Sequence, residues 1–268
     1  MPWISVGGAL PTAPDPGPQP QAAVKSAGRA LQVLEFFVTL KREARAREIA
    51  EAIGMPQSST SMLLRSLADL GYLDYDPKTR TYLPSPRVTL LGSWLDGGPI
   101  RDGSLIRALE FLSERTSNAI FIATRSGIFS QYIYVIPGRA ALRFHIPLGS
   151  RRLLVWSATG FALLTSVSDE EIRALVRRTN AEIENCHICA AETLAGVHKA
   201  REDGYCFSRG LVTPGAGAIA MPLPKGIDRA GRTLVVSMSG MLDDFIRREQ
   251  EFVSIMREAI DRHLVDVA

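Results

Sequence analysis

Residues 46–83 read AREIAEAIGMPQSSTSMLLRSLADLGYLDYDPKTRTYL, and the punctuation of this stretch decides the fold around it. Ile49, Ala50 and Ile53 share one stripe of a helix expected over 46–53. Gly54 follows, and glycine accepts the left-handed conformation of a sharp turn. Pro56 stands where a next helix begins, a position that tolerates its missing N–H. At ~100° per residue, that helix gathers Thr60, Leu63, Leu64, Leu67 and Leu70 on one side. Gln57, Ser58, Ser61, Met62, Arg65 and Asp69 fall on the other. Two helices joined by a tight Gly-containing turn form a helix-turn-helix. Its polar arc carries an amide, hydroxyls and a guanidinium, which can contact base edges and phosphates, although any amphipathic helix with a short polar face shares that pattern. β-prone runs at 70–75 and 79–83 then flank Asp76-Pro77-Lys78, which predicts a hairpin with Lys78 and Arg80 near its tip. A hairpin in that place makes the unit a winged helix-turn-helix, the wing adding sequence-independent phosphate contacts.

Upstream, Ala30, Leu31, Val33, Leu34, Phe37 and Val38 predict a helix over about 26–40 with Ser26 as its N-cap. The first 23 residues, MPWISVGGALPTAPDPGPQPQAA, hold six of the 16 prolines and no Lys or Arg. Lacking an apolar period, they are expected to form a disordered arm over 1–23. The winged unit is then 24–85, followed by a linker helix within 86–98 and a second domain over 99–268, with Leu95-Asp96-Gly97-Gly98-Pro99 as boundary. The net charge of +3 is too small to name a partner, but it is unevenly spread. Residues 24–95 carry ten Lys and Arg against seven Asp and Glu, whereas 96–268 carry 21 against 20.

The second domain mixes helices and strands without a βαβ rhythm, so the chain is α+β with an antiparallel sheet flanked by helices. Helices are expected over 103–116, 157–166, 169–178 capped by Ser168, and 193–203, with a long amphipathic helix from Asp243. Strands are expected over 119–124, 129–135, 142–144, 218–223 and 234–239. At 46% apolar and 22% charged residues the composition is globular. No stretch approaches the roughly 20 apolar residues of a membrane span. Three cysteines and no basic-then-apolar leader fit a reducing cytoplasm.

AGRALQVLEFF (27–37) and REIAEAIGMPQSSTSMLLRSLADLGYLDYDPKTRTYLPSPRVTLLG (47–92) resemble the IclR family of bacterial transcription regulators. So do SATGFALLTSVSDEEI (157–172), EDGYCFSRG (202–210), GAIAMPLP (217–224) and LVVSMSG (234–240). The resemblance implies a helix beginning at Gln57 that enters the major groove, with Gln57, Ser58, Ser59, Ser61 and Arg65 as DNA contacts and Arg80 on the wing. It departs where the family usually has Lys, His and Arg and this chain has Gln57, Ser61 and Met62, which predicts a different operator. The resemblance further implies a GAF-like domain sensing a small organic acid. Its pocket would use the amides of Ala158 and Thr159, the hydroxyls of Ser237 and Ser239, and the positions of Ser208 and Ala218. An acidic residue is common where Ser208 stands, and a cysteine in some members where Ala218 stands. A family lysine is replaced by Phe161, so a less polar pocket and a larger or more aromatic acid are expected. Ser237 and Ser239 also fit as ordinary alternating strand residues. The partners implied are a double-stranded DNA operator of pseudo-palindromic form, a small organic acid, and further copies of the chain in a dimer or tetramer, with no membrane.

Other chemistry has weaker support. Cys186-His187-Ile188-Cys189 is a CxxC, with His198 and Cys206 as further possible ligands, but no second pair stands at zinc spacing. A metal or thiol sensor at Cys186 and Cys189 is therefore an alternative, and unpaired loop thiols are the default. No GxSxG, HExxH, phosphate loop or dinucleotide fingerprint is present, so no cofactor and no enzyme are expected. The alternative from that class is a small-molecule enzyme on a borrowed fold. Arg151-Arg152, Arg177-Arg178 and Arg247-Arg248 are expected to be solvated.

Overall fold

The computed structural model describes residues 25–91, 100, 102–140, 144, 146–228 and 230–265. These residues fall into two compact units, 25–91 and 100–265. The expected arm (1–23), the boundary run 95–99 and the later part of the expected linker helix lie outside the described residues.

In the first unit, α1 (Lys25–Leu40) begins one residue earlier than expected, so Ser26 lies inside its first turn instead of capping it. Then follow β1 (Ala44–Arg45), α2 (Ala46–Ile53), α3 (Gln57–Asp69), β2 (Leu73–Asp76), β3 (Thr81–Pro84) and α4 (Pro86–Leu90). Gly54 closes α2 at φ +65°, where a Cβ would be strained. Val33, Phe37, Ile49, Leu64, Leu67 and Leu73 bury against one another, locking the three helices to the hairpin. Thr60 sits on the same inner stripe and is fully buried, its hydroxyl donating to the Pro56 carbonyl at 3.1 Å. Leu70 departs from expectation: as the residue that ends α3 it turns outward and is 59% exposed. β1 was not foreseen, because a two-residue strand has no period; it makes the hairpin a three-stranded sheet of order β1-β3-β2. At the hairpin tip the Lys78 N–H donates to the Asp76 carboxylate at 2.8 Å, and Arg80 adopts φ +57°. Ser85 caps α4 and donates to the Gly71 carbonyl at 2.5 Å.

The second unit is a six-stranded antiparallel sheet, order β6-β5-β4-β9-β8-β7, with helices on both faces. Its strands are β4 (Ala119–Ser126), β5 (Phe129–Ile136), β6 (Arg151–Leu153), β7 (Cys206–Arg209), β8 (Ala216–Pro222) and β9 (Leu234–Met241). Its helices are α5 (Ser104–Thr116), α6 (Ala158–Leu163), α7 (Asp169–Glu182), α8 (Ala190–Asp203), α9 (Leu242–Arg247) and α10 (Glu249–Leu264). Period-2 alternation divides the strand residues between two cores. Ile120, Ile122, Ile219, Met221, Val236 and Met238 face α5 and α10. Ala220 and Val235 face α6, α7 and α8.

Between β4 and β5 the register shifts at Ile122/Ala123, so Ile122 pairs with Tyr134 and Ala123 with Tyr132. Ile133 is the extra residue and is exposed. The long helix expected from Asp243 is two helices, broken at Arg248, whose φ −113° and ψ 19° are not helical. The strand expected over 142–144 is not formed at Phe144, and Leu142 and Arg143 lie outside the described residues.

Phe161 is buried in the core beneath α8. A Cβ on Gly196 would stand 2.5 Å from Phe161 Cε2, so that glycine is required for α8 to approach. Gly196→Ala is expected to cost about 1–3 kcal/mol, and adding Phe161→Leu to recover part of it. Chemical denaturation checks this; a Gly196→Ala protein as stable as the parent would show that the ring yields freely.

Candidate functional site

The outer arc of α3 is built by subtraction. Thr60, Leu64 and Leu67 are consumed by the core, so the residues between them face outward. Gln57, Ser58, Met62 and Arg65 are exposed, while Ser59 and Ser61 are half-buried. Arg65 also reaches toward the wing. Burial and the neighbouring Tyr75 push the Tyr82 phenol above its ordinary value, and the Arg65 charge pulls the other way. Arg80 and Lys78 are exposed at the wing tip. Arg42, before α2, is paired with Glu48 at 2.5 Å, and Arg47, in its first turn, with Glu51 at 2.9 Å. Among the described residues no ion pair involves Arg65, Lys78 or Arg80. Positive charge without an ion pair is thus present on α3 and the hairpin, where it suits a polyanion.

The second site is a cavity of about 140 Å³ between α6 and the sheet. All six residues singled out in the second domain line it: Ala158, Thr159, Ser208, Ala218, Ser237 and Ser239. Phe121, Tyr132, Phe144 and Ile146 form its apolar wall, and Arg152 is the cation on its lining among the described residues. Ser157 shapes the entry to α6, accepting from the Gly160 N–H at 3.1 Å and donating to the Leu153 carbonyl at 2.9 Å. Ala158 and Thr159 occupy the first helical positions, whose amides have no acceptor inside the helix. The Ser130 hydroxyl donates to Thr159 at 2.8 Å. Ser237 donates to the Ile219 carbonyl at 2.9 Å, so its hydroxyl is already engaged in the sheet. Burial pushes the Tyr132 phenol up, with Arg152 and the Thr159 hydroxyl opposing.

Two expectations are corrected here. Phe161 does not line the cavity, because its ring is taken up beneath Gly196; it does not make the pocket less polar. Arg152 is half-buried on the lining, not solvated, because alternate residues of β6 face opposite sides. Arg152 was missed because its doublet looks like the others. The cavity's volume is about 140 Å³. It is close to the ~150 Å³ of a dry cavity that takes one benzene.

The cysteines do not converge. Cys189 is exposed, Cys186 is half-buried with its thiol pushed up by burial, and burial pushes Cys206 up to about 12. A thiol held protonated is a poor ligand and nucleophile. His198 is engaged with Asp169 at 2.8 Å. Among the described residues no group of three His, Cys, Asp or Glu is placed to hold a metal ion, and no helix is long and apolar enough to cross a membrane.

A winged helix-turn-helix and an antiparallel sheet domain with a pocket between α6 and the sheet define a transcription regulator with a DNA-binding head and an effector domain. The chain belongs to the IclR family: the IclR helix-turn-helix domain matches residues 26–77, and the bacterial transcriptional regulator IclR C-terminal domain matches 100–262. It is similar to the HTH-type transcriptional regulator XynR of Escherichia coli K12, 24% identical, covering 82% of this chain and 89% of that one. It is also similar to the Pca regulon regulatory protein of Pseudomonas putida, 25% identical over 87% and 81% of the two chains. The crystal structure of the Thermotoga maritima IclR shares the fold with a TM-score of 0.55 at 21% identity, covering 88% of this chain and 96% of that one. These relatives are named as regulators, and the chain is one, not an enzyme.

Elemental analysis of the purified protein is expected to find zinc well below one per chain, with no change in DNA binding on mild oxidation. Stoichiometric metal would restore the sensor reading of Cys186 and Cys189.

Proposed function

We propose that the protein is a cytoplasmic, ligand-responsive regulator whose α3 reads a pseudo-palindromic operator and whose cavity senses a small organic acid. The domain limits proposed are 24–85 for the head, 86–98 for the linker and 99–268 for the sensor. The observation that carries this reading is the cavity: one cation, several hydroxyls and an apolar wall, in a volume suited to a single small molecule. Gln57, Ser58, Ser59, Ser61 and Arg65 supply the groove contacts on this reading, and Arg80 a backbone contact. Leu31 and Val38, 60% and 54% exposed and seven residues apart on α1, support association of copies into a dimer or tetramer. Two heads then place two reading helices on one site. The acid acts by binding one arrangement of the heads better than another, since only differential affinity shifts an equilibrium.

Gel shifts against the regulator's own upstream region test the DNA half. Arg65→Ala is expected to lose about 1–3 kcal/mol of operator affinity per contact while ligand-induced thermal stabilisation is retained. Unchanged operator affinity would remove the polar arc of α3 from the reading.

A further inference from the structure

We infer that Arg152 anchors the ligand's carboxylate, and that the ligand is a monocarboxylate whose flat apolar body is no larger than one six-membered ring. This rests on the cavity being the effector site, and it adds the chemical class. Arg152 is half-buried, with its guanidinium carbon 5.9 Å from the Tyr132 ring centre. Its hydrogen bond within the protein is from Nη1 to the Arg151 carbonyl at 3.0 Å, which leaves further donors of a planar fork. Among the described residues no carboxylate pairs with it and none lines the cavity. A cation withdrawn from water without a counter-charge is costly, and an incoming carboxylate removes that cost in the bidentate geometry a guanidinium favours.

The rest of the wall sets the body of the ligand. Phe121 and Tyr132 lie 4.4 Å apart at 33°, an aromatic surface that a flat group can cover. The Thr159 and Ser237 hydroxyls are engaged within the protein, whereas those of Ser208 and Ser239 make no side-chain hydrogen bond among the described residues. They can accept or donate to one further polar atom. Among the described lining residues Arg152 is the one cation, so a second carboxylate would meet hydroxyls there instead of a counter-charge. The volume of about 140 Å³ suits a body of one ring.

Thermal shift on the full-length protein tests this with butyrate, benzoate, benzamide and phthalate, on the parent, Arg152→Gln and Arg152→Lys. Butyrate or benzoate is expected to raise the parent's Tm in proportion to the logarithm of its concentration, and benzamide and phthalate to leave it unchanged. Arg152→Gln should weaken the acid at least about tenfold, the order expected for a charge-assisted pair. Arg152→Lys, which keeps the charge and loses the fork, should fall between. Operator affinity without acid, unchanged in both variants, shows that the fold is intact. Equal stabilisation of parent and Arg152→Gln by benzoate overturns the anchor and leaves the effector reading standing. Benzamide matching benzoate overturns recognition of the charge. Silence of the parent to both monocarboxylates overturns the proposal, and the effector reading falls with it unless a neutral ligand shifts operator affinity.

Discussion

Residue 160 has no side chain, and the sensing domain is arranged around that fact. A Cβ there would stand 1.9 Å from the Leu154 carbonyl oxygen and 2.5 Å from its carbon, distances no relaxation of a side chain could open. With glycine, α6 lies backbone to backbone on the 3-10 turn formed by Leu154–Trp156. Ser157 then closes the corner from both sides, its hydroxyl accepting from Gly160 and donating to Leu153. Strand β6, the turn and α6 thus form one continuous rigid corner. Its two ends carry Arg152 and Thr159, both on the cavity lining. Groups that must hold a small ligand within a fraction of an ångström are best mounted on such a rigid piece.

A second constraint completes the wall from the opposite side of the sheet's alternation. Val135 and Tyr132 pack with Phe121 and Ala123 although they are three residues apart on β5. An unbroken strand would send one of them to the α5–α10 face. The bulge at Ile133 absorbs the odd residue, so Ser130, Tyr132 and Val135 share the cavity side. The register shift therefore adds an aromatic ring to the wall while the core on the other face keeps its own sequence of apolar side chains.

These two constraints also explain what was legible in the residues and what was not. The head was readable because its punctuation is local: Gly54, Pro56 and the Leu stripe each act within one turn, so α2 begins and ends where expected and α3 begins where expected, closing before Leu70. The six cavity residues came from family resemblance, since two serines alternating on a strand do not distinguish a pocket from a ladder. Arg152 carried no usable signal. β6 is three residues long, too short for a period, and its doublet is chemically the same as the exposed Arg177-Arg178 and as Arg247-Arg248, of which Arg248 is itself half-buried over Phe252. Tyr132 was hidden by the bulge, because alternation counted from Phe129 runs out at Ile133. The break at Arg248 was likewise hidden, because the apolar stripe of α9 resumes in α10 through Phe245 and Phe252, whose rings lie 4.8 Å apart.

The modest charge of the head bears on how such a regulator works. With Arg42 and Arg47 neutralised by Glu48 and Glu51, three cations on α3 and the wing remain without an ion pair among the described residues. At about −0.9 per phosphate neutralised, these three cations would contribute a salt slope of about −2.7 for one head and about −5.4 for two heads on one site. On the proposed reading, a head that contacts its operator through amides and hydroxyls in place of Lys, His and Arg would draw little from charge, and occupancy would depend on two heads engaging together. The spacing of the heads would then be the controlling variable. An effector domain that favoured one spacing would need no contact with DNA to release it. On the proposed reading, a weakly charged reading surface would be what lets a small acid, held by Arg152, act as a switch.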